Sequence, residues 1–346
     1  MMTSAREPAL QTLLSRAFPG EYGPTIAPTL YLALYLDPVR PEDVRDFLNR
    51  SREALGASLR FYQTGSMKYP ATLNDSKIAQ WRDRKLQAST RLDIHTLILN
   101  ERGIDGVTPS EIRVDAVSLR IEPLSEAERR RDEYRHVAQI HGSVPVASGA
   151  LLLVGFPLDH PLSDPDAFVG WVTSLQAAAG GCLLYGSAGV ALRLATEVHG
   201  QEAIDQHDLA MGLLARHPGL DLLPTFGQRL GYLTPDGRVR TRIRRAAWLN
   251  LLPEATVAEL GGVAQLEAAL AGTSARIHRL GHNWLLQASP MPRIGDASIA
   301  DRVPEYARIG RLLKPVRFEE LALDVLSYSL EWRDGWHAAL DGDQLT

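Results

Sequence analysis

The residues best placed by type to do hydrolytic chemistry are Ser187, His160 and Asp159. A serine nucleophile needs a base within hydrogen-bond reach and a third group that orients the base. Ser187 lies in Tyr185-Gly186-Ser187-Ala188-Gly189. A nucleophile elbow requires glycine two residues before the serine, and Tyr185 occupies that place. The run therefore reads as a glycine-rich bend between two strand segments. Asp159 and His160 are neighbours in sequence, and adjacent side chains usually point different ways. They read as loop polarity ahead of a helix. Ten histidines invite a metal search. His278 and His282 fall on a strand or turn, and His199 and His207 sit out of line on one helix. No HExxH motif accompanies them, and neither pair has the spacing of a zinc site. A Walker A lysine and a GxGxxG loop are both missing. The sequence thus assigns no catalytic residue, no metal ligand and no cofactor.

Two further groups suit binding. Arg229, Arg238, Arg240, Arg242, Arg244 and Arg245 form the densest basic run. On a strand, Arg238, Arg240, Arg242 and Arg244 share one face. A partner-binding ridge and the solvated face of an edge strand both fit. The second is favoured, since charge on an edge opposes aggregation. Trp171, Trp248, Trp284, Trp332 and Trp336 read as core. Trp81, in Gln80-Trp81-Arg82-Asp83-Arg84, has the composition of an interface hot spot, and a cap over the core fits it equally.

The elements that must position these residues are legible in outline. Residues 29–36 are almost continuously apolar, which predicts a strand buried on both faces. A helix follows, with Val44, Phe47, Leu48 and Leu55 on one face, and then a short strand at 58–62. Alternation predicts strands at 90–99 and 112–121, paired as a long hairpin. Ser125 and Glu128 form a capping box for a solvated helix. Residues 143–149 are small and polar and mark a boundary, giving halves 1–145 and 146–346. The second half opens with a strand at 150–156. Ser163 reads as the N-cap of a helix carrying Phe168, Trp171, Val172 and Leu175 on one stripe. Strand segments at 182–185 and 190–194 follow. The units 30–62 and 151–185 share one plan, which a duplication or the ordinary β-α-β pattern explains equally. A helix at 196–216 directs Ile204, Met211 and Leu214 inward, and a hairpin turns at 234–237. The expected class is α+β: two similar halves with mixed or antiparallel sheets flanked by helices.

Composition narrows the class of protein. With 45% hydrophobic and 23% charged residues in 346, the chain is an ordinary globular one with room for two domains. A net charge of −4 is not the balance of a nucleic-acid-binding surface. The single Cys182 excludes an intramolecular disulfide. The first residues lack an apolar signal core, and no window approaches a membrane span. These features predict a cytoplasmic protein.

The stretch 243–318 organises the chain. A strand at 243–252 carries Trp248 and Asn250, and a short helix from Pro253 stops at Gly261-Gly262. A helix at 266–270 and a strand at 284–288 follow. Beyond the prolines at 290 and 292, a last helix from Pro304 aligns Tyr306, Ile309, Leu312 and Leu313 until Pro315 breaks it. Trp248-Leu249-Asn250, Glu259-Leu260-Gly261-Gly262, Leu286-Gln287-Ala288 with Pro290, Gly295-Asp296 and Leu313-Lys314-Pro315-Val316-Arg317 together resemble the type VI immunity family. So does Arg216-His217-Pro218-Gly219-Leu220-Asp221 upstream. That resemblance implies a protein that binds a cognate type VI secretion effector toxin, a nuclease being one candidate activity. It implies no catalysis, no cofactor and no direct contact with membrane or nucleic acid. Trp248, Asn250, Gln287, Pro290 and Asp296 carry the signature, and with Trp81 they are the candidates for partner contact. The polar members, Asn250, Gln287 and Asp296, are expected to bond to backbone of the 290–295 turn and the last helix. Two rivals remain open on the residues alone. One is a hydrolase with a site between the halves near Asp159, Ser187 and Asp296. The other is a structural component of a secretion apparatus.

Overall fold

The computed structural model describes residues 26–36, 41–55, 150–179, 183–194, 200–222 and 245–317. It also describes short segments at 19–20, 23–24, 61–64, 71–72, 74, 76, 92–95, 118–123, 231–233, 239–241 and 243. Trp81, Ser125, Cys182, Trp332, Trp336 and the turn at 234–237 lie outside them.

The strands in chain order are β1 (Pro19–Gly20), β2 (Gly23–Pro24), β3 (Ile26–Leu36), β4 (Phe61–Thr64), β5 (Ala71–Thr72), β6 (Leu92–His95), β7 (Ser118–Pro123) and β8 (Ala150–Pro157). They continue with β9 (Leu183–Leu194), β10 (Asp221–Leu222), β11 (Gly231–Leu233), β12 (Val239–Thr241), β13 (Leu249–Pro253), β14 (Arg276–Leu280) and β15 (Asn283–Gln287). The α-helices are α1 (Pro41–Leu55), α2 (Pro165–Ala179), α3 (Gly200–Arg216), α4 (Glu254–Glu259), α5 (Val263–Leu270) and α6 (Pro304–Leu313). The fold is α+β.

One 11-stranded sheet runs β14-β15-β13-β9-β3-β8-β7-β6-β4-β5, with β10 added beside β9. The β9–β10 ladder is parallel, and the other described ladders are antiparallel. β3 is central. It pairs with β8 from Thr29↔Pro157 to Leu36↔Ala150, and with β9 from Ile26↔Leu194 onward. Strands from before and after residue 145 thus share one sheet. Both strand–helix–strand units lie in that sheet. β3–α1–β4 crosses over β8, β7 and β6, and β8–α2–β9 crosses over β3.

The apolar run of β3 serves both faces. Leu30, Leu32, Leu34 and Leu36 enter the main core with Phe47 and Leu55 of α1 and Phe168, Trp171, Val172 and Leu175 of α2. Tyr31 and Ala33 bury on the other face with Leu153 and Ala191. The described core has the expected contributors at the far end too: Val257, Leu260, Leu266 and Leu270 meet Tyr306, Ile309 and Leu313.

Several local expectations are corrected. β9 is one continuous strand with no kink at its glycines. Gly186 is there for space: a Cβ would come within 2.9 Å of Leu34 and 3.0 Å of Leu251. The expected strand at 243–252 begins only at Leu249. The backbone N–H and C=O of Ala247 are both bonded by the Asn250 side chain, so they are not available to a ladder. The cap of α2 is Asp164, whose carboxylate accepts from Ala167 N at 3.0 Å; Ser163 donates back to the Pro157 carbonyl. Ile204 is exposed, and α3 buries Ala210, Leu213 and Leu214. Trp284 is half-buried at the rim, its indole N–H bonded to Glu254. β14 was not foreseen, because its Arg-Ile-His-Arg-Leu sequence has little apolar alternation.

Candidate functional site

Four of the signature residues are buried, and their polar atoms are used inside the chain. Trp248 stacks on Phe168 with ring centroids 5.5 Å apart, and its indole N–H donates to the Ser289 carbonyl at 2.8 Å. Gln287 donates to the same carbonyl at 3.0 Å. Ala288 N donates to the Trp248 carbonyl at 2.8 Å. The turn after β15 is therefore pinned to Trp248 from two directions. Asn250 accepts from Ala247 N at 3.0 Å and donates to Ala247 O at 2.8 Å, fixing the irregular segment ahead of β13. Pro290 is exposed beside these residues, and Trp81 lies outside the described segments.

Asp296 has a different partner from the one expected. Its carboxylate takes Arg216, with Nη2 at 2.7 Å and Nε at 3.1 Å, and caps the 3-10 turn Ala297–Ile299 by accepting from Ser298 N at 3.0 Å. These hydrogen bonds, Arg216 foremost and then the Ser298 hydroxyl, hold the Asp296 carboxyl well below the usual carboxylate range. Neighbouring contacts bind the end of α3 to the same loop. His217 Nδ1 lies 2.6 Å from the Gly295 carbonyl, and Gly219 N donates to Ile294 O at 2.8 Å. A Cβ at Gly219 would overlap the Arg293 carbonyl, so only glycine permits this approach. Arg293 in turn grips Asp301 at 2.8 and 2.9 Å and Glu305 at 3.3 Å.

A second polar cluster lies beneath β3, β9 and β10. Arg245 was expected among solvated arginines, yet it is 2% exposed. It donates to the carbonyls of Leu220 and Pro218 and sits 3.6 Å from Asp221. A buried guanidinium is tolerable only with such partners. Asp221 also accepts from the Tyr31 hydroxyl at 2.9 Å. That hydroxyl has one proton, so Ser187, 3.4 Å away, is left to donate to it.

The chemistry-bearing residues do not converge. Ser187 is buried in mid-β9 on the Tyr31 face. His160 packs on Phe156, which belongs to the helix-covered face, at 5.1 Å, and its Nδ1 accepts from Leu162 N. Burial pushes the His160 imidazole below its ordinary value, with the Asp159 charge opposing. Asp159 is exposed, and Asp296 is engaged with Arg216. Among the described residues, no three His, Cys, Asp or Glu side chains form a metal-holding group.

The family model described as "Type VI immunity for VRR-NUC", TsiV, matches residues 153–331, more than half of the 346. The chain belongs to the TsiV family. Trp248, Asn250, Gln287, Pro290 and Asp296 all fall inside the TsiV match. The fold is similar to that of a solved structure described as "Pseudomonas aeruginosa T6SS protein PA0821", with a TM-score of 0.64 and 18% identity. That likeness covers 93% of this chain and 85% of the other. No curated protein sequence matches. No described helix is long and apolar enough to cross a membrane.

Sequence reasoning gave Tyr31 and Arg293 no part in the site, and placed Arg216 and Asp221 only within a stretch that carries the family resemblance. The available signal was charge inside apolar surroundings, as in Gly219-Leu220-Asp221-Leu222-Leu223.

Two outcomes follow from this geometry. Asn250→Ala leaves a buried N–H and a buried C=O without partners and is expected to cost about 1–3 kcal/mol. Urea unfolding measures it, and a loss below about 0.5 kcal/mol contradicts the assignment. The Asp296 carboxyl is depressed in the folded state, so its stabilisation is fully present above the unfolded value near 4. It is lost progressively as pH falls below that value toward the folded one. The melting temperatures of wild type and Asp296→Asn should differ at pH 7 and converge between about pH 4 and pH 2. A difference that stays constant over that range contradicts the ion pair.

Proposed function

We propose that this protein neutralises a VRR-NUC nuclease effector of the type VI secretion system by binding it one to one in the cytoplasm of the cell that makes it. The observation that carries this reading is the TsiV match over residues 153–331. The dispersal of Ser187, His160, Asp159 and Asp296 supports inhibition by occupancy over turnover. In this reading no cofactor takes part. Trp248, Asn250, Gln287 and Asp296 act as the frame that presents a binding surface, since their polar atoms are already bonded within the chain.

Stoichiometric inhibition follows mass action. With tight binding, residual nuclease activity falls linearly and reaches zero near one equivalent. An enzyme acting on the toxin would neutralise an excess of it, given time. Titration of the purified protein into the cognate nuclease, read by DNA cleavage, is expected to give an endpoint near one equivalent that does not move with incubation. Complete neutralisation by a small fraction of an equivalent, growing with time, would overturn the reading.

A further inference from the structure

Among the described residues the sheet ends at β14, which has one ladder, with β15, and none on its other side. The turn decides which backbone groups face outward. Gly281 and His282 form a two-residue loop closed by Leu280↔Asn283, with Gly281 at φ 61°. In such a hairpin the closing pair is hydrogen-bonded, and bonded and non-bonded pairs alternate from there. Leu280, His278 and Arg276 therefore bond to β15. The N–H and C=O groups of Ile277 and Arg279 point away from it, giving two donors and two acceptors at strand spacing.

Natural edges are blunted by bulges, prolines or charge. β14 has no bulge over its five pairs with β15 and no proline, and Ile277 is packed against the main core. Such a straight edge fits an extended chain that adds as a further strand.

Charge selects the occupant. No Asp or Glu occurs between Glu267 and Asp296, whereas β14 and its turn carry Arg276, His278, Arg279 and His282. Arg279 lies over the Trp284 ring at 5.4 Å and 4.0 Å from Glu254, so its charge is partly answered. Arg276 is exposed and has no ion pair among the described residues. Two copies of this chain joined edge to edge would bring four arginines to one junction, with no acid on either strand, and like charges across a ladder repel. A strand that sets a carboxylate against Arg276 meets the opposite charge. The arginines thus oppose self-association and favour an acidic partner.

We propose that the outer edge of β14 receives an extended, acid-bearing segment of the VRR-NUC effector as an added strand, bonded to Ile277 and Arg279 with a carboxylate against Arg276. This rests on the proposed inhibitory function. Amide exchange of the full-length protein, read residue by residue with and without the purified nuclease, tests it. The amides of Ile277 and Arg279 are expected to exchange fast in the free protein and at least about tenfold more slowly in the complex. Those of His278 and Leu280 should be slow in both. Calorimetry adds a second readout. Ile277→Pro removes an outward donor and no bond to β15, and is expected to bind at least about tenfold more weakly than Ile277→Ala, which keeps that donor. Arg276→Glu is expected to weaken binding and to lessen its salt dependence. Arg302→Glu, the same charge change at an exposed position on the 296–303 loop, should bind as wild type does. Melting temperatures monitor folding of the variants, and the exchange measurement needs none of them. Outward amides that stay fast in the complex would overturn this surface while leaving the inhibitory function intact. Absence of wild-type binding would overturn both. A wild-type dimer that Ile277→Pro dissolves without loss of nuclease binding would make β14 a contact between copies and overturn the proposal.

Discussion

The pairing of β3 along both edges is the constraint on which the rest depends. A strand apolar on both faces cannot stay at an edge, because one row of backbone groups and half of its side chains would remain in water. Here both partners, β8 and β9, come from beyond residue 149, and α2 crosses over β3 to link them. The TsiV match begins at residue 153, inside β8, so the strand at the centre of its sheet lies outside the matched stretch. The signature strands β13 and β15 join the sheet through β9, which β3 in turn flanks.

Burying so much apolar surface creates a setting in which every polar group needs a partner. The response is two connected sets of bonds. Tyr31, Ser187, Asp221 and Arg245 fasten β3 and β9 to the chain on either side of β10. Arg216, His217 and Asp296 fasten the end of α3 to the segment between β15 and α6, and Trp248 and Gln287 fix the start of that segment at Ser289. Gly219 joins the two sets, since its approach to Ile294 carries the chain from Arg216 to Asp221. The consequence is a junction bonded from both sides, with Ile299 exposed on its outward loop.

Much of this was legible in the sequence. Periodicity located α1, α2, α3, α4 and α6, and the continuous apolar run of β3 announced its burial. The antiparallel pairing of β6 with β7 was likewise readable from alternation. Sheet order was not, because the ladder partners of β3 lie more than a hundred residues away and no local pattern encodes them. The kink expected in β9 reflects a limit of local rules: glycine there answers to Leu34 and Leu251 across the sheet. Arg245 was misplaced for a related reason. A basic run reads as solvated until the fold brings the carbonyls of Pro218 and Leu220 to one of its members. That the signature's polar residues would need partners within the chain was legible, while two of the partners were not: Asn250 holds the Ala247 backbone, and Asp296 holds Arg216, eighty positions distant.

The central claim is that the signature residues build a frame and that the surface beside them does the binding. Hydrogen exchange of the protein, free and in complex with its nuclease, tests this most directly. The account predicts slowed exchange in exposed segments on complex formation. The amides of β13 and β15, already protected by ladders on both sides, should not change. Slowing confined to β13, β15 and the turn at 288–290, with every exposed segment unaffected, would contradict it.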